Sequence, residues 1–439
     1  MTARHTAEEI SRRLQAAGHT AYFAGGCVRD ELLGKTPKDF DIATSALPAQ
    51  VLKLFPGSVS VGAHFGVIVV REGGDNFEIA TFRTDGSYGD GRRPDSVQFS
   101  TPEEDARRRD FTVNGLFLDP ATGHIIDHVG GLADLRDRRL RAIGEPAARF
   151  REDHLRLMRA VRFATVLDYD IEPATWSAVV AHAADIQRIS IERIRDEFVR
   201  TLLDPLRLRG FDLLADSGLI FHILPEMEAL KGCSQPPEFH PEGDVWVHTR
   251  LMLSLLPEDI STPLLLSVLL HDIAKPATRT IDPDGRIRFN GHDKLGAEMA
   301  EAILRRLRFS NDVIEATVEA VTNHMKFMHV QDMRTAKLKR WIASPTFDDE
   351  LQLHRADCLG SKGMLDNFEF MVAKREEFRA GPLSALPPPL LTGQDLKSMG
   401  FQPGPNFREI LLAVQDAQLD GALSSAEEAR DYVRERWQP

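Results

Sequence analysis

The sequence predicts an α+β N-terminal region followed by an all-α remainder, and three observations predict it. Residues 1–145 interleave short alternating apolar stretches with capped helical ones. Beyond Glu145 the apolar residues recur almost wholly at spacings of three and four. Pro/Gly-rich breaks at Gly232–Gly243, Gly381–Pro389 and Gln402–Pro405 then divide that helical part. At 439 residues the chain is too long for a single core. The expected divisions are 1–145, 146–235, 236–380 and 385–439.

Taken in order, Thr6-Ala7-Glu8-Glu9 reads as a capping box that launches a first helix, ended near Gly18. Strands are expected at Tyr22–Ala24, Asp39–Thr44, Val67–Arg71 and Phe77–Arg83, with a helix after Pro48 and a hairpin turn at Gly73-Gly74-Asp75-Asn76. Thr101-Pro102-Glu103-Glu104 starts another helix, with Pro at its first position. Gly25-Gly26 ends the first strand and opens a helix, Cys27–Leu33, stopped by Gly34.

Chemistry concentrates around that glycine pair. Backbone N–H groups at such a turn can cradle phosphates, with Arg29 one turn in to clamp them. Asp39 and Asp41 are i and i+2 on the expected strand and so share a face. Two carboxylates side by side repel unless a cation lies between them, and oxygen-only ligation suits Mg²⁺. Glu78, on the alternating strand Phe77–Arg83, is the candidate third carboxylate. The Asp85–Pro94 stretch is a loop of turn formers with interleaved charge, fit to act as a lid. In Arg109-Asp110-Phe111-Thr112-Val113-Asn114, Arg109 suits phosphate, while Asp110 suits ribose hydroxyls or the orientation of Arg109.

The bulk numbers narrow the class. Hydrophobic content of 42% and charged content of 27% are ordinary for a globular protein. A net charge of −12 argues against a surface coated in phosphate-binding residues, although arginines cluster at 107–109, 136–141 and 149–162. Cys27, Cys233 and Cys358 form neither a disulfide framework nor a zinc ribbon. The polar N-terminus has no signal-peptide core, and the longest apolar run, Pro263–Leu270, is too short to span a bilayer; a cytoplasmic protein is expected.

Glu152-Asp153-His154-Leu155-Arg156-Leu157-Met158-Arg159-Ala160-Val161-Arg162-Phe163 is expected as one helix with Asp153, Arg156 and Arg159 on one face. Those residues fit either an intrahelical ion-pair ladder or a base reader. In the second case Asp153 accepts from an exocyclic amino group while Arg156 donates to the neighbouring ring acceptor. Cytosine and adenine both present that pattern; uracil and guanine leave both side chains unpaired, which a buried site rejects strongly.

The order Gly-Gly-x-Val-Arg-Asp, Asp-x-Asp, Arg-Arg-Asp-Phe-Thr-x-Asn and Glu-Asp-x-x-Arg-x-x-Arg-Ala-x-Arg-Phe resembles the class II tRNA nucleotidyltransferase (CCA-adding) and bacterial poly(A) polymerase family over roughly residues 20–165. Gly115 departs from the Ala of many members. The resemblance implies a nucleotidyltransferase head with a small mixed β-sheet and helices, followed by all-α neck, body and tail segments in a seahorse shape. It implies Mg²⁺ at Asp39 and Asp41, with Glu78 completing the catalytic carboxylates. Nucleotide contacts are implied from Gly25, Gly26, Arg29, Arg109, Asp110 and Asn114, and base selection from Asp153 and Arg156, assisted by Arg159 and Arg162. The implied substrates are CTP, ATP and tRNA, gripped at the acceptor stem and elbow. The Asp85–Pro94 loop matches the element that the family needs for the terminal A.

A second set stands downstream. Leu264–Leu270 is an apolar helix ending in His271-Asp272, with Pro276 expected to stop it; a His-Asp pair there is costly to bury unless paired or metal-bound. With His248 before it and Asp357 after it, the pattern resembles the HD metal-dependent phosphohydrolase superfamily. That implies His248, His271, Asp272 and Asp357 as ligands of a divalent transition metal, with His292 and His324 as phosphate or second-metal partners. The tail reads as two helices around a Pro-Gly-Pro turn. Rival readings are an A-adding enzyme, a poly(A) polymerase, an HD phosphohydrolase with a nucleotide-sensing head, and a silent RNA-binding module.

Overall fold

The structure, a computed structural model, describes residues 2–62, 66–86, 96–380 and 387–438. Most of the expected Asp85–Pro94 loop lies outside them. The chain forms two compact units, Met1–Pro225 and Glu226–Pro439.

The first unit begins with α1 (Ala3–Ala16). It starts earlier than the Thr6 capping box predicts: Thr2 is the cap, its hydroxyl accepting from His5 N–H. Thr6 is instead buried inside the helix. A seven-stranded sheet follows in the order β3-β4-β5-β2-β1-β8-β9. Its strands are β1 (Ala21–Ala24), β2 (Ile42–Thr44), β3 (Val59–Gly62), β4 (Val67–Glu72), β5 (Asp75–Thr81), β8 (Leu116–Leu118) and β9 (Ile125–Asp127). A separate ribbon pairs β6 (Arg83–Asp85) with β7 (Val97–Phe99). The β2–β5 pair is parallel and the other pairs are antiparallel, so the sheet is mixed, as expected. Five of these strands, β3 and β6 to β9, had no counterpart among the expected ones because three or four residues carry too little alternation.

Gly73 and Gly74 both hold positive φ, 63° and 93°, and close β4 onto β5 in the two-residue loop that a right-twisted hairpin requires. Between the strands lie α2 (Gly26–Leu32), α3 (Pro48–Leu54) and α4 (Pro102–Arg107), the last capped by Thr101 as expected. Ala24, Ala43, Phe82, Ala106 and Phe117 form the core under the sheet's functional end, with Phe82 and Phe117 edge to face at 5.9 Å.

Past α5 (Gly131–Arg136), helices dominate: α6 (Pro146–Glu152), α7 (Leu155–Leu167), α8 (Pro173–Ala181), α9 (Ile191–Leu202), α10 (Arg207–Asp216) and α11 (Leu219–Ile223). The single helix expected through Glu152–Phe163 is broken. Asp153 leaves helical geometry at φ −137°, ψ 104°, and its side chain accepts from Leu155 N–H at the start of α7.

The second unit is helical around α13 (Thr262–Leu270), preceded by α12 (Val245–Leu255). Every residue of α13 from Leu264 to Leu270 is buried, the state of a helix apolar on all sides. Pro276 does not stop it. It sits in the first turn of a further short helix, α14 (Lys275–Thr278), where a missing N–H costs nothing. α15 (His292–Arg306), α16 (Asn311–Asn323), α17 (Thr335–Ile342), α18 (Phe347–Gly360) and α19 (Asp366–Ala380) complete the body. The tail has three helices rather than two: α20 (Gly393–Ser398), α21 (Pro405–Leu419) and α22 (Ala426–Arg436). Capping boxes at Thr392/Asp395 and Ser425/Glu428 start the first and third. The tail buries its own core of Leu396, Ile410, Val414 and Val433.

Candidate active site and second metal-type centre

Asp39 and Asp41 are not strand residues, as the sequence suggested; they form the lead-in to a strand only three residues long. The ladder nevertheless reaches Asp41, whose carbonyl accepts from Ala24 N–H at 3.0 Å. On the other side, the parallel register of Ile42 with Ile79 sets Asp41 beside Glu78. The Asp41 carboxylate is open to solvent on one side and walled by protein on the others. That enclosure, then the charges of Glu78 and Asp39, push its pKa up to about 6 against the pull of Arg109.

Gly25 holds φ 75°, ψ −124°, a conformation open to glycine. A Cβ there would stand 2.8 Å from Arg109 Nη1, so the bare turn is also what lets that guanidinium lie against it. Arg109 is held by Asp105, to which its Nε and Nη2 donate at 3.2 and 3.1 Å, and it rests over Phe117. The expectation that Asp110 orients Arg109 is therefore corrected: buried Asp105 does so, from one helical turn earlier. Burial raises the Asp105 pKa, but Arg109 and Arg108 outweigh it and hold the group below its ordinary value.

Asp110 belongs to a different chain of bonds. Arg29 donates to Asn114 Oδ1 at 2.6 Å, Asn114 Nδ2 donates to Asp110 Oδ1 at 3.1 Å, and Arg159 Nε donates to Asp110 Oδ2 at 2.8 Å. Burial pushes Asp110 up, yet the charge of Arg159 and the bond from Asn114 bring its pKa to about 2. One ring underlies this network: Arg29, Arg159 and Arg162 lie over Phe163 at 5.3, 5.0 and 4.1 Å.

The ladder Asp153–Arg156–Arg159 is absent among the described contacts, because Asp153 lies outside the helix. Arg156 donates to Glu152 and to the Arg149 and Arg108 carbonyls, Arg162 pairs with Glu197, and Asp153 pairs with Arg193 at 3.3 Å. Glu197 and Arg193, on α9, were missed by the sequence reading. No local spacing links them to α7.

In the second unit five elements bring six residues together. His248 lies on α12 and His271-Asp272 at the end of α13, while His292 opens α15, His324 follows α16 and Asp357 lies on α18. His248 Nε2 is 3.2 Å from Asp357 Oδ1, His292 Nε2 is 3.5 Å from Asp272 Oδ1, and His292 and His324 meet Nε2 to Nε2 at 3.0 Å. The Nδ1 atoms of His271, His292 and His324 face the Val268, Phe289 and Val321 carbonyls. A carbonyl only accepts, so each Nδ1 carries a proton and each ring turns its Nε2 inward. Two Nε2 atoms at 3.0 Å need a proton or a metal ion between them. Asp272 Oδ2 lies 2.7 Å from Lys275 Nζ and 3.1 Å from His271 Nε2, charge contacts that hold the buried carboxylate at the centre of the cluster. The residues fit a divalent metal of the imidazole-and-carboxylate kind. A cavity of about 730 Å³ opens on this cluster, lined in part by Asp272, His292, His324, Asp357, Lys275 and His240.

No helix among the described residues is long and apolar enough to cross a membrane. Against family models, residues 21–141 match the poly A polymerase head domain, 168–231 the probable RNA and SrmB-binding site of polymerase A, and 247–359 the HD domain. The CCA-adding enzyme of Bacillus cytotoxicus is 31% identical over 97% of both chains. That of Latilactobacillus sakei is 41% identical over 56% of this chain and 64% of its own length, and that of Geobacillus thermodenitrificans 47% over 48% and 52%. The chain thus spans about half to two thirds of these last two relatives. Among solved structures, the Bacillus stearothermophilus CCA-adding enzyme in complex with CTP superposes with a TM-score of 0.76 at 28% identity, covering 99% of this chain and 98% of the other. A Thermotoga maritima CCA-adding enzyme complexed with tRNA shares the fold at 19% identity, with a TM-score of 0.61, covering 98% of this chain and 94% of the other.

Proposed function

The chain belongs to the CCA-adding enzyme family, and we propose that it is a tRNA 3′-terminal nucleotidyltransferase adding C, C and A from CTP and ATP without a nucleic-acid template. The observation that supports this most directly is the register that sets Glu78 beside Asp41, across from the glycine turn against which Arg109 lies. Three carboxylates offer oxygen donors only, and burial, then the charges of Glu78 and Asp39, lift the Asp41 pKa, so the donor set fits Mg²⁺. Asp39 and Asp41 would hold two such ions, which when bound would activate the RNA 3′-hydroxyl and neutralise charge on the triphosphate.

The chain's own residues do the rest. The Gly25-Gly26 turn lets backbone and Arg109 approach the triphosphate closely, and Arg29 adds a second fixed cation. Asp110, kept ionised by Arg159, is the acceptor at the ribose side. Asp153 accepts from the exocyclic amino group of cytosine or adenine and Arg156 donates to the adjacent ring nitrogen, assisted by Arg159 and Arg162 from their own partners Asp110 and Glu197. Uracil and guanine leave both groups unpaired. The expected domain division into head, neck, HD body and tail is part of this reading. So is a grip on the tRNA acceptor stem and elbow by shape more than by sequence.

The test is incubation of tRNA ending at the discriminator base with CTP alone, then with ATP. Two additions of C followed by one A support the reading. Addition of A only to tRNA already ending in CC would replace it with an A-adding enzyme, and long A tracts with a poly(A) polymerase. The inward-facing Nε2 atoms at the second centre favour a further activity there, metal-dependent hydrolysis of a phosphate ester.

A further inference from the structure

Three of the four imidazoles at the second centre owe their orientation to main-chain carbonyls. His248 does not. Its Nδ1 lies 2.7 Å from Glu242 Oε1, and the same oxygen lies 2.8 Å from Nδ1 of His240. Glu242 sits in the segment closed by the Ser234–Asp244 bridge, just before α12, and is nearly buried. The His240 and His248 rings meet edge to face with centroids 5.0 Å apart. His240 lines the cavity that also exposes Asp272 and His324.

Resting on the metal-binding reading of this centre, we infer that Glu242 is a positioning residue shared by two imidazoles, and that His240 is a further substrate-binding group of the cavity. An ionised carboxylate only accepts hydrogen bonds, so both Nδ1 atoms must donate to it. Each ring thereby keeps its proton on Nδ1, and Nε2 is the atom it offers to a ligand. That of His248 lies 3.2 Å from Asp357 Oδ1, within the ligand cluster. That of His240 is the ring nitrogen left for the cavity. A carboxylate behind a ligand histidine also makes the ring a stronger donor than a carbonyl does. The cavity wall, largely apolar through residues such as Met325, Met328 and Phe289, also carries the cations Lys275, Arg286, Arg288 and Lys362, with Phe239 beneath Lys362 and Arg286. An acceptor nitrogen in such a wall suits a hydroxyl or water next to a phosphoryl group that the cations hold.

The full chain, stripped of metal, is titrated with Co²⁺ by calorimetry. E242Q, nearly isosteric, is expected to weaken Co²⁺ binding 10–100-fold; unchanged affinity overturns the positioning role. E242D keeps the charge on a shorter arm and should fall between E242Q and wild type; binding weaker than that of E242Q also counts against the role. With ¹⁵N-histidine labelling, two Nδ1–H signals should shift together in E242Q, a change that a general loosening of the fold would not confine to two rings. H240A should keep Co²⁺ affinity within about threefold while kcat/KM for bis(p-nitrophenyl) phosphate falls at least about tenfold, as for loss of one positioned polar group; unchanged hydrolysis overturns the role of His240. Wild-type protein that binds no Co²⁺ removes the underlying metal reading. Wild type that binds while E242Q binds equally well removes this inference alone.

Discussion

Asp41 carries a cost that its neighbours make legible. Its pKa in the fold, about 6, lies above the ordinary carboxylate value, so the folded protein binds that proton more tightly than the unfolded chain does. The charge therefore opposes folding at neutral pH, and the opposition fades as pH falls through about 6. In metal-free protein, Asp41→Asn should raise Tm at pH 7.5 by about 1–2 °C, a modest gain because the group reaches solvent. That advantage over wild type should shrink as pH falls through about 6 and vanish only below the ordinary carboxylate value of 3.8, while nucleotide addition is lost throughout. A Tm difference constant from pH 5 to 8 would refute the account. Gly25→Ala forces a side chain into glycine-only backbone and against Arg109. It should cost about 1–3 kcal/mol in urea unfolding and raise KM for both CTP and ATP. At this scale local spacing singled out Asp39 with Asp41, Gly25 with Gly26, and His271 with Asp272, whereas His248 and Asp357, far off in the chain, were joined to that pair only through the family resemblance. Asp105 was readable in principle, three and four residues before the two arginines it holds. Glu242 and Arg193 were not, since their partners are set by how loops and helices fold back.

Elements were less legible where they are short. A strand such as β2 has three residues, and nothing in its pattern separates it from the polar lead-in that carries both aspartates. The break between α6 and α7 was hidden for the opposite reason, because the apolar spacing runs straight through it. It is the backbone turn at Asp153, bonded to Leu155 N–H, that ends one helix and starts the next. α7 is also the element on which the arginine network depends. Phe163→Leu removes the ring beneath three guanidiniums and should cost about 2–4 kcal/mol of stability. It should raise KM for CTP and ATP in parallel; a change confined to one nucleotide would show that the ring does not serve both ends of the network.

Across the whole molecule, two units each carry a constellation of their own. Asp41→Ala should abolish nucleotide addition and leave bis(p-nitrophenyl) phosphate hydrolysis intact, whereas Asp272→Ala should do the reverse. Loss of both activities from either substitution would refute their separateness. The division falls after Pro225, shortly before the glycine- and proline-rich break that begins at Gly232, whereas the change in apolar period after Glu145 lies inside the first unit.

The bonds from Arg29 through Asn114 and Asp110 to Arg159 join the helix behind the glycine turn to the helix proposed to read the letter. On the proposed reading, a nucleotide seated badly by its base would pull through this chain on the side chain meant to grip its tail, so refusing the wrong letter and failing to activate it would be one event.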